Sequence, residues 1–142
     1  TGIRSAIVET DASQVIETPD IDREVTIEFV ANRIVGAAWE FEPSVTKMKV
    51  HPGKLYSTTF FARNLLDRPI TGLATPDIKP AAANKYFQKT ECFCFTEQKF
   101  GASESRDMPV RFIIDPELPE HVDTVTLSYT FYSQTELASA AR

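Results

Sequence analysis

Thr124-Val125-Thr126-Leu127-Ser128-Tyr129-Thr130-Phe131 alternates without a break, with Val125, Leu127, Tyr129 and Phe131 on one face of an extended chain and hydroxyl residues on the other. Successive side chains of a strand point to opposite faces, so the pattern predicts a half-buried β-strand whose apolar row covers a core. The same period recurs upstream, where Val25, Ile27, Phe29 and Ala31 alternate with Thr26, Glu28, Val30 and Asn32. Residues 38–41 predict a short strand with Trp39 and Phe41 as core anchors on one face. Residues 45–50, 55–63, 70–75 and 110–114 predict further strands. His51-Pro52-Gly53-Lys54 is a turn, because proline fixes φ and glycine permits positive φ. Between Pro76 and Pro80 the backbone lacks a regular set of donors, which predicts an edge or crossover segment. Residues 81–85 read as one helical turn and 101–106 as a polar turn. About seven or eight short strands separated by turn residues predict an all-β protein, an immunoglobulin-like antiparallel two-sheet β-sandwich. The inter-sheet disulfide of antibody domains has no counterpart, since both cysteines follow Trp39 on one strand.

A chain of 142 residues, 42% hydrophobic, is long enough for one core and needs no second domain. Residues 23–133 are the predicted domain. Residues 1–22 show no sustained period and read as an N-terminal tether, and 134–142, polar and alanine-rich, as a flexible tail. The net charge of −5 is built from interspersed acids and bases, with no basic tract to meet phosphates, which argues against nucleic-acid binding. There is no apolar run of membrane-spanning length and no signal-peptide pattern. Serines lack a neighbouring His and acid in any recognisable motif, and no glycine-rich phosphate loop exists, so the chain does not read as an enzyme.

The chemistry concentrates in Glu91-Cys92-Phe93-Cys94-Phe95-Thr96-Glu97-Gln98, which holds both cysteines of the protein. In an extended strand Cys92 and Cys94 share one face and Phe93 and Phe95 the other, so burial of the phenylalanines predicts outward-facing sulfurs. Soft thiolates favour Cu(I), zinc and iron–sulfur clusters; zinc and the clusters want four ligands, so two thiols suit Cu(I) best. Two chains meeting thiol face to thiol face would share copper and form a copper-bridged homodimer. Three other readings stand beside this one: inert cysteines packed as small hydrophobes, a strained Cys92–Cys94 disulfide, and a thiol–disulfide redox module that reduces a partner protein. His51, His121 and Met108 are further candidate ligands; the histidines, in loops, are expected at the surface and Met108 equally serves as a core gap-filler. Lys85, Lys89 and Lys99 would lower a thiol pKa, and Glu91 and Glu97 oppose them.

The run CFCFTEQ, with Tyr86-Phe87 before it and Asp107-Met108-Pro109-Val110, Ile114-Asp115-Pro116 and Leu127-Ser128-Tyr129-Thr130-Phe131 after it, resembles the CtaG-type copper chaperone family of cytochrome c oxidase assembly. Trp39-Glu40-Phe41-Glu42-Pro43 and Asp67-Arg68-Pro69-Ile70-Thr71-Gly72 extend the likeness to residues 24–132. The resemblance departs at Pro76 and at Ala102-Ser103-Glu104, both in loops. It implies a soluble domain carrying Cu(I) on Cys92 and Cys94 and supplying it to the CuB centre of cytochrome c oxidase subunit I, after loading by a copper donor protein. It also implies a missing N-terminal transmembrane helix, an inner-membrane location with the domain in the periplasm or the mitochondrial intermembrane space, and a third cysteine just before Thr1-Gly2.

Overall fold

The computed structural model describes residues 8–9, 17–34, 38–93 and 96–133. Among these residues ten strands follow in chain order: β1 (Val8–Glu9), β2 (Val25–Arg33), β3 (Trp39–Pro43), β4 (Lys47–Val50), β5 (Leu55–Asn64), β6 (Ile70–Lys79), β7 (Phe87–Cys92), β8 (Gln98–Phe100), β9 (Ser105–Ile114) and β10 (Thr124–Tyr132). They form two five-stranded sheets, ordered β1-β7-β9-β5-β3 and β4-β2-β10-β6-β8. The expected all-β two-sheet sandwich is what the chain forms.

The clearest strand of the sequence lies at the centre of its sheet. β10 runs parallel to β2, from Thr124 opposite Thr26 to Phe131 opposite Arg33, and antiparallel to β6 on its other side. Its inward row of Val125, Leu127, Tyr129 and Phe131 is buried, as are Val25, Ile27 and Phe29 on β2. Two pairings depart from the expected antiparallel pattern. β2 and β10 are parallel, and β1 adds in parallel to the edge of β7 through Val8 opposite Gln88, so a strand forms where no period was legible.

Three boundaries also differ from expectation. β6 continues through Pro76 to Lys79, with Pro76 opposite Tyr129. This is possible because β8 covers only residues Ile70 to Gly72, which leaves the outer side of β6 beyond them without a ladder and so without need of the missing N–H. β9 begins at Ser105, inside the expected turn. The thiol stretch is not one strand: β7 ends at Cys92 and pairing resumes at Gln98. The expected helical turn is present as a 3-10 helix, Ala81–Tyr86.

Aromatic rings fill the space between the sheets. Trp39 meets Phe100 and Phe131 edge to face at centroid distances of 5.0 and 4.6 Å, and Phe41 stacks on Phe60 and Phe131 at 5.4 and 5.0 Å. Each such pair contributes about 0.5–1.5 kcal/mol beyond the burial of its area. Gly72 makes room for this cluster, since a Cβ there would lie 2.3 Å from the Phe131 ring. Gly53 serves the β4–β5 turn with φ +83, and its backbone bridges Thr18 N and Ile114 O.

Candidate metal site

β7 delivers Cys92 to the end of the sandwich, and a bulge decides where it points. Lys89 lies opposite Phe112 and Glu91 opposite Arg111, so Thr90 is an extra residue in the strand. One inserted residue reverses the inside–outside order, and such bulges re-aim side chains. Phe87 and Lys89 face inward before the bulge; after it Glu91 is exposed and Cys92, opposite Val110, is buried. The expectation of an outward-facing Cys92 is therefore overturned: its residue is 7% exposed. Phe93 is buried as expected, because the chain leaves the ladder after Cys92 and folds the ring back onto Tyr129, Phe60 and Phe41 at 4.7, 5.8 and 6.1 Å. Cys94 and Phe95 lie outside the described residues.

Cys92 is disulfide-bonded in this structure. Its Sγ lies 2.9 Å from the Tyr129 hydroxyl, a contact that spans the sandwich from β7 to β10. A disulfide sulfur carries no proton, so the hydroxyl donates. Burial pushes the Tyr129 hydroxyl pKa far above its usual 10, which keeps it a donor across the accessible pH range.

Lys89 is the second buried polar group at this end. Its residue is 0% exposed, and its Nζ has no hydrogen-bond partner. Its one described electrostatic contact is with the face of the Tyr129 ring, 5.3 Å from the centroid. Burial without a counter-charge lowers its pKa from 10.5 to about 7.

Cys92 is reached from outside through a cavity of about 250 Å³ whose lining includes Glu91, Gln98, Arg106, Asp107 and Met108. Met108 is buried on β9 and lines the same cavity as Cys92. Gln98 braces the segment between β7 and β8: its side-chain amide donates to the Thr96 hydroxyl at 3.2 Å and to the Phe93 carbonyl at 3.5 Å, while its carbonyl accepts from Arg106 at 3.3 Å. Arg106 is itself held by Glu104 at 2.7 Å and lies 4.0 Å over the Phe100 ring.

The histidines do not join this cluster. His51 is half-buried rather than exposed, with Nδ1 donating to the Arg23 carbonyl at 2.8 Å in the β4–β5 turn, and His121 is exposed in the β9–β10 connection. Among the described residues no three His, Cys, Asp or Glu side chains gather as a metal site. Of the flanking charges, Lys85, Lys99, Glu91 and Glu97 are solvent-exposed and Lys89 is not. Tyr129 is the site residue that sequence reasoning missed, and Lys89 reads there only as one of three positive charges flanking the thiols. Tyr129 reads as one more core aromatic; Lys89 carried a signal, since it falls two residues from Phe87 on the same strand face.

The family model described as cytochrome c oxidase assembly protein CtaG/Cox11 matches residues 1–133. The cytochrome c oxidase assembly protein CtaG of Mesorhizobium japonicum is 44% identical over 117 residues, covering 79% of this chain and 56% of that protein. The mitochondrial cytochrome c oxidase assembly protein COX11 of Homo sapiens is 41% identical over 143 residues, covering 96% of this chain and 52% of that protein. The chain thus spans about half the length of the curated relatives it matches. With bacterial and mitochondrial assembly proteins both among its relatives, and with the family model covering all ten strands, the chain belongs to the CtaG/Cox11 family of cytochrome c oxidase assembly proteins.

Proposed function

We propose that this domain is a copper carrier: reduced Cys92 and Cys94 hold Cu(I) as thiolates and pass it by ligand exchange to the CuB centre of cytochrome c oxidase subunit I during assembly. The observation that carries the reading is Cys92 in the lining of a cavity open to solvent, with a hydroxyl donor aimed at its sulfur and an ammonium without a hydrogen bond in the same interior. Hydrogen bonds and a nearby positive charge stabilise a thiolate, the form that binds metal. Binding releases two protons, and transfer changes no oxidation state, so no turnover machinery is required. The inner membrane, through a segment outside this chain, with the domain in the periplasm or the intermembrane space, fits bacterial and mitochondrial relatives. A copper donor protein loads the site, and two chains sharing copper form a homodimer.

Anaerobic Cu(I) titration of the reduced protein against a competing chelator, beside Cys92→Ser/Cys94→Ser, tests the reading. About one Cu(I) per chain in the wild type and none in the variant supports it; binding that survives the variant sinks it. Sedimentation with and without Cu(I) tests the dimer, and an unchanged mass rejects it.

The disulfide at Cys92 favours a second reading, a thiol–disulfide module that gives two electrons and two protons to a partner's disulfide as its own forms. Rapid reduction of a test disulfide by the dithiol, together with no preference for Cu(I), would establish that reading instead.

A further inference from the structure

Among the described residues Lys89 is a buried charge with no hydrogen bond and no ion pair: its ammonium is fully enclosed and rests on the ring of Tyr129, whose hydroxyl touches the Cys92 sulfur. An isolated buried cation is strongly disfavoured, and structures that retain one hold it against an anion. Among the described residues no carboxylate bonds it. The bulge at Thr90 turns both Lys89 and Cys92 into the same interior, so the missing anion belongs at the sulfur end of the strand.

We propose that Lys89 is the charge selector of the thiolate site, making it specific for a monovalent soft metal ion over a divalent one. The inference rests on the copper-carrier reading and extends it. Two thiolates supply two negative charges. A monovalent ion supplies one positive charge and Lys89 the other, so the charges sum to zero. A divalent ion leaves one positive charge in excess beside a buried ammonium, which the low-dielectric interior penalises. The chemistry of two sulfurs alone does not make this distinction, because zinc also binds thiolates well.

The test compares Cu(I) and Zn(II) affinities of the reduced wild type with those of Lys89→Met and Lys89→Gln, by chelator competition at one fixed pH, with Lys89→Arg as the charge-retaining control. Removing the charge is expected to weaken Cu(I) by about tenfold or more, the scale of one charge acting across a protein interior, while Zn(II) is unchanged or tighter. Lys89→Arg keeps the wild-type ratio. If Zn(II) binding is too weak to measure in every form, including the neutral variants, the discrimination does not come from Lys89 and the proposal is overturned. Equal losses for both ions, or Cu(I) affinity within about twofold of wild type in the neutral variants, overturn the proposal. A wild type that binds no Cu(I) overturns the carrier reading and this one with it, whereas a wild type that binds Cu(I) without sensitivity to Lys89 overturns this one alone.

Discussion

Asn64 and Lys89 are both fully buried polar side chains, one on β5 and one on β7, yet their surroundings are opposite. Asn64 uses both amide hydrogens and its carbonyl: it donates to Arg68 O at 2.8 Å and Gly101 O at 2.9 Å and accepts from Leu66 N at 2.9 Å. It thereby ties the β5–β6 loop to the β8–β9 loop. Lys89 has only a ring face. The first group completes the fold and is finished by it. The second is left with an unmet requirement against the ring whose hydroxyl reaches the Cys92 sulfur, which is what distinguishes a site from a scaffold.

The largest effect that would break this contrast is at Asn64. Asn64→Ala removes three hydrogen bonds and strands buried backbone groups in two loops, so it is expected to destabilise the protein by about 3 kcal/mol. Urea unfolding measures it. A loss below about 1 kcal/mol would mean that water takes over the amide's role and that Asn64 is no firmer than Lys89.

Lys89→Met should act in the other direction. In the oxidised, metal-free protein at pH 6 it is expected to stabilise by about 2 kcal/mol, because a desolvated and unpaired charge is replaced by an apolar chain of similar length. The pH dependence sharpens this. The amine's pKa falls from 10.5 unfolded to about 7 folded. Below about 7 both states hold the proton and the full penalty is present. Between about 7 and 10.5 the unfolded state holds more protons, so stability rises with pH, by up to about 1.4 kcal/mol per unit. The advantage of Lys89→Met over wild type should therefore shrink from pH 7 to 9.5. Above 10 the raised Tyr129 hydroxyl works against the fold, since only the unfolded tyrosine ionises readily there. A difference between the two proteins that stays flat from pH 6 to 9.5 would show that the amine is not held as an unpaired charge.

How much of this was legible in the sequence depends on whether the cause is local. The alternation in β10 and β2 is local, and both strands formed with the expected residues inward. Trp39 and Phe41 were readable as anchors for the same reason. The direction of Cys92 was not, because it depends on the single inserted residue Thr90, and nothing in the string Gln88-Lys89-Thr90-Glu91 marks a bulge. Pro76 reads as the start of an edge or crossover segment, and which of the two it is depends on how far β8 runs along β6. Lys89 reads as a solvated flank because lysine is almost never fully buried, and only the partner sheet shows it under Tyr129.

Smaller effects separate the parts of the sulfur environment. Tyr129→Phe keeps the ring that covers Lys89 and removes only the donor to Cys92, so it is expected to cost about 1 kcal/mol, a fall of about 2–4 °C in Tm. A larger loss would assign the hydroxyl a structural role like that of Asn64.

The smallest change in stability, within about 0.5 kcal/mol, is expected for Gln98→Ala, because this side chain is only partly buried and its bonds are long. Its effect should appear instead in local opening. Gln98 joins Thr96 and Phe93 to Arg106, so it holds the chain immediately around the cysteines to β9. Without it, segmental opening requires only the release of the Phe93 ring, and the disulfide at Cys92 should be reduced by a phosphine about two- to fivefold faster while Tm is unchanged. Faster reduction at constant stability would identify Gln98 as a positioning residue of the sulfur segment. An unchanged rate would mean that the buried Phe93 ring alone fixes it, and that the contrast between a finished scaffold and an open site narrows to Lys89 and Tyr129.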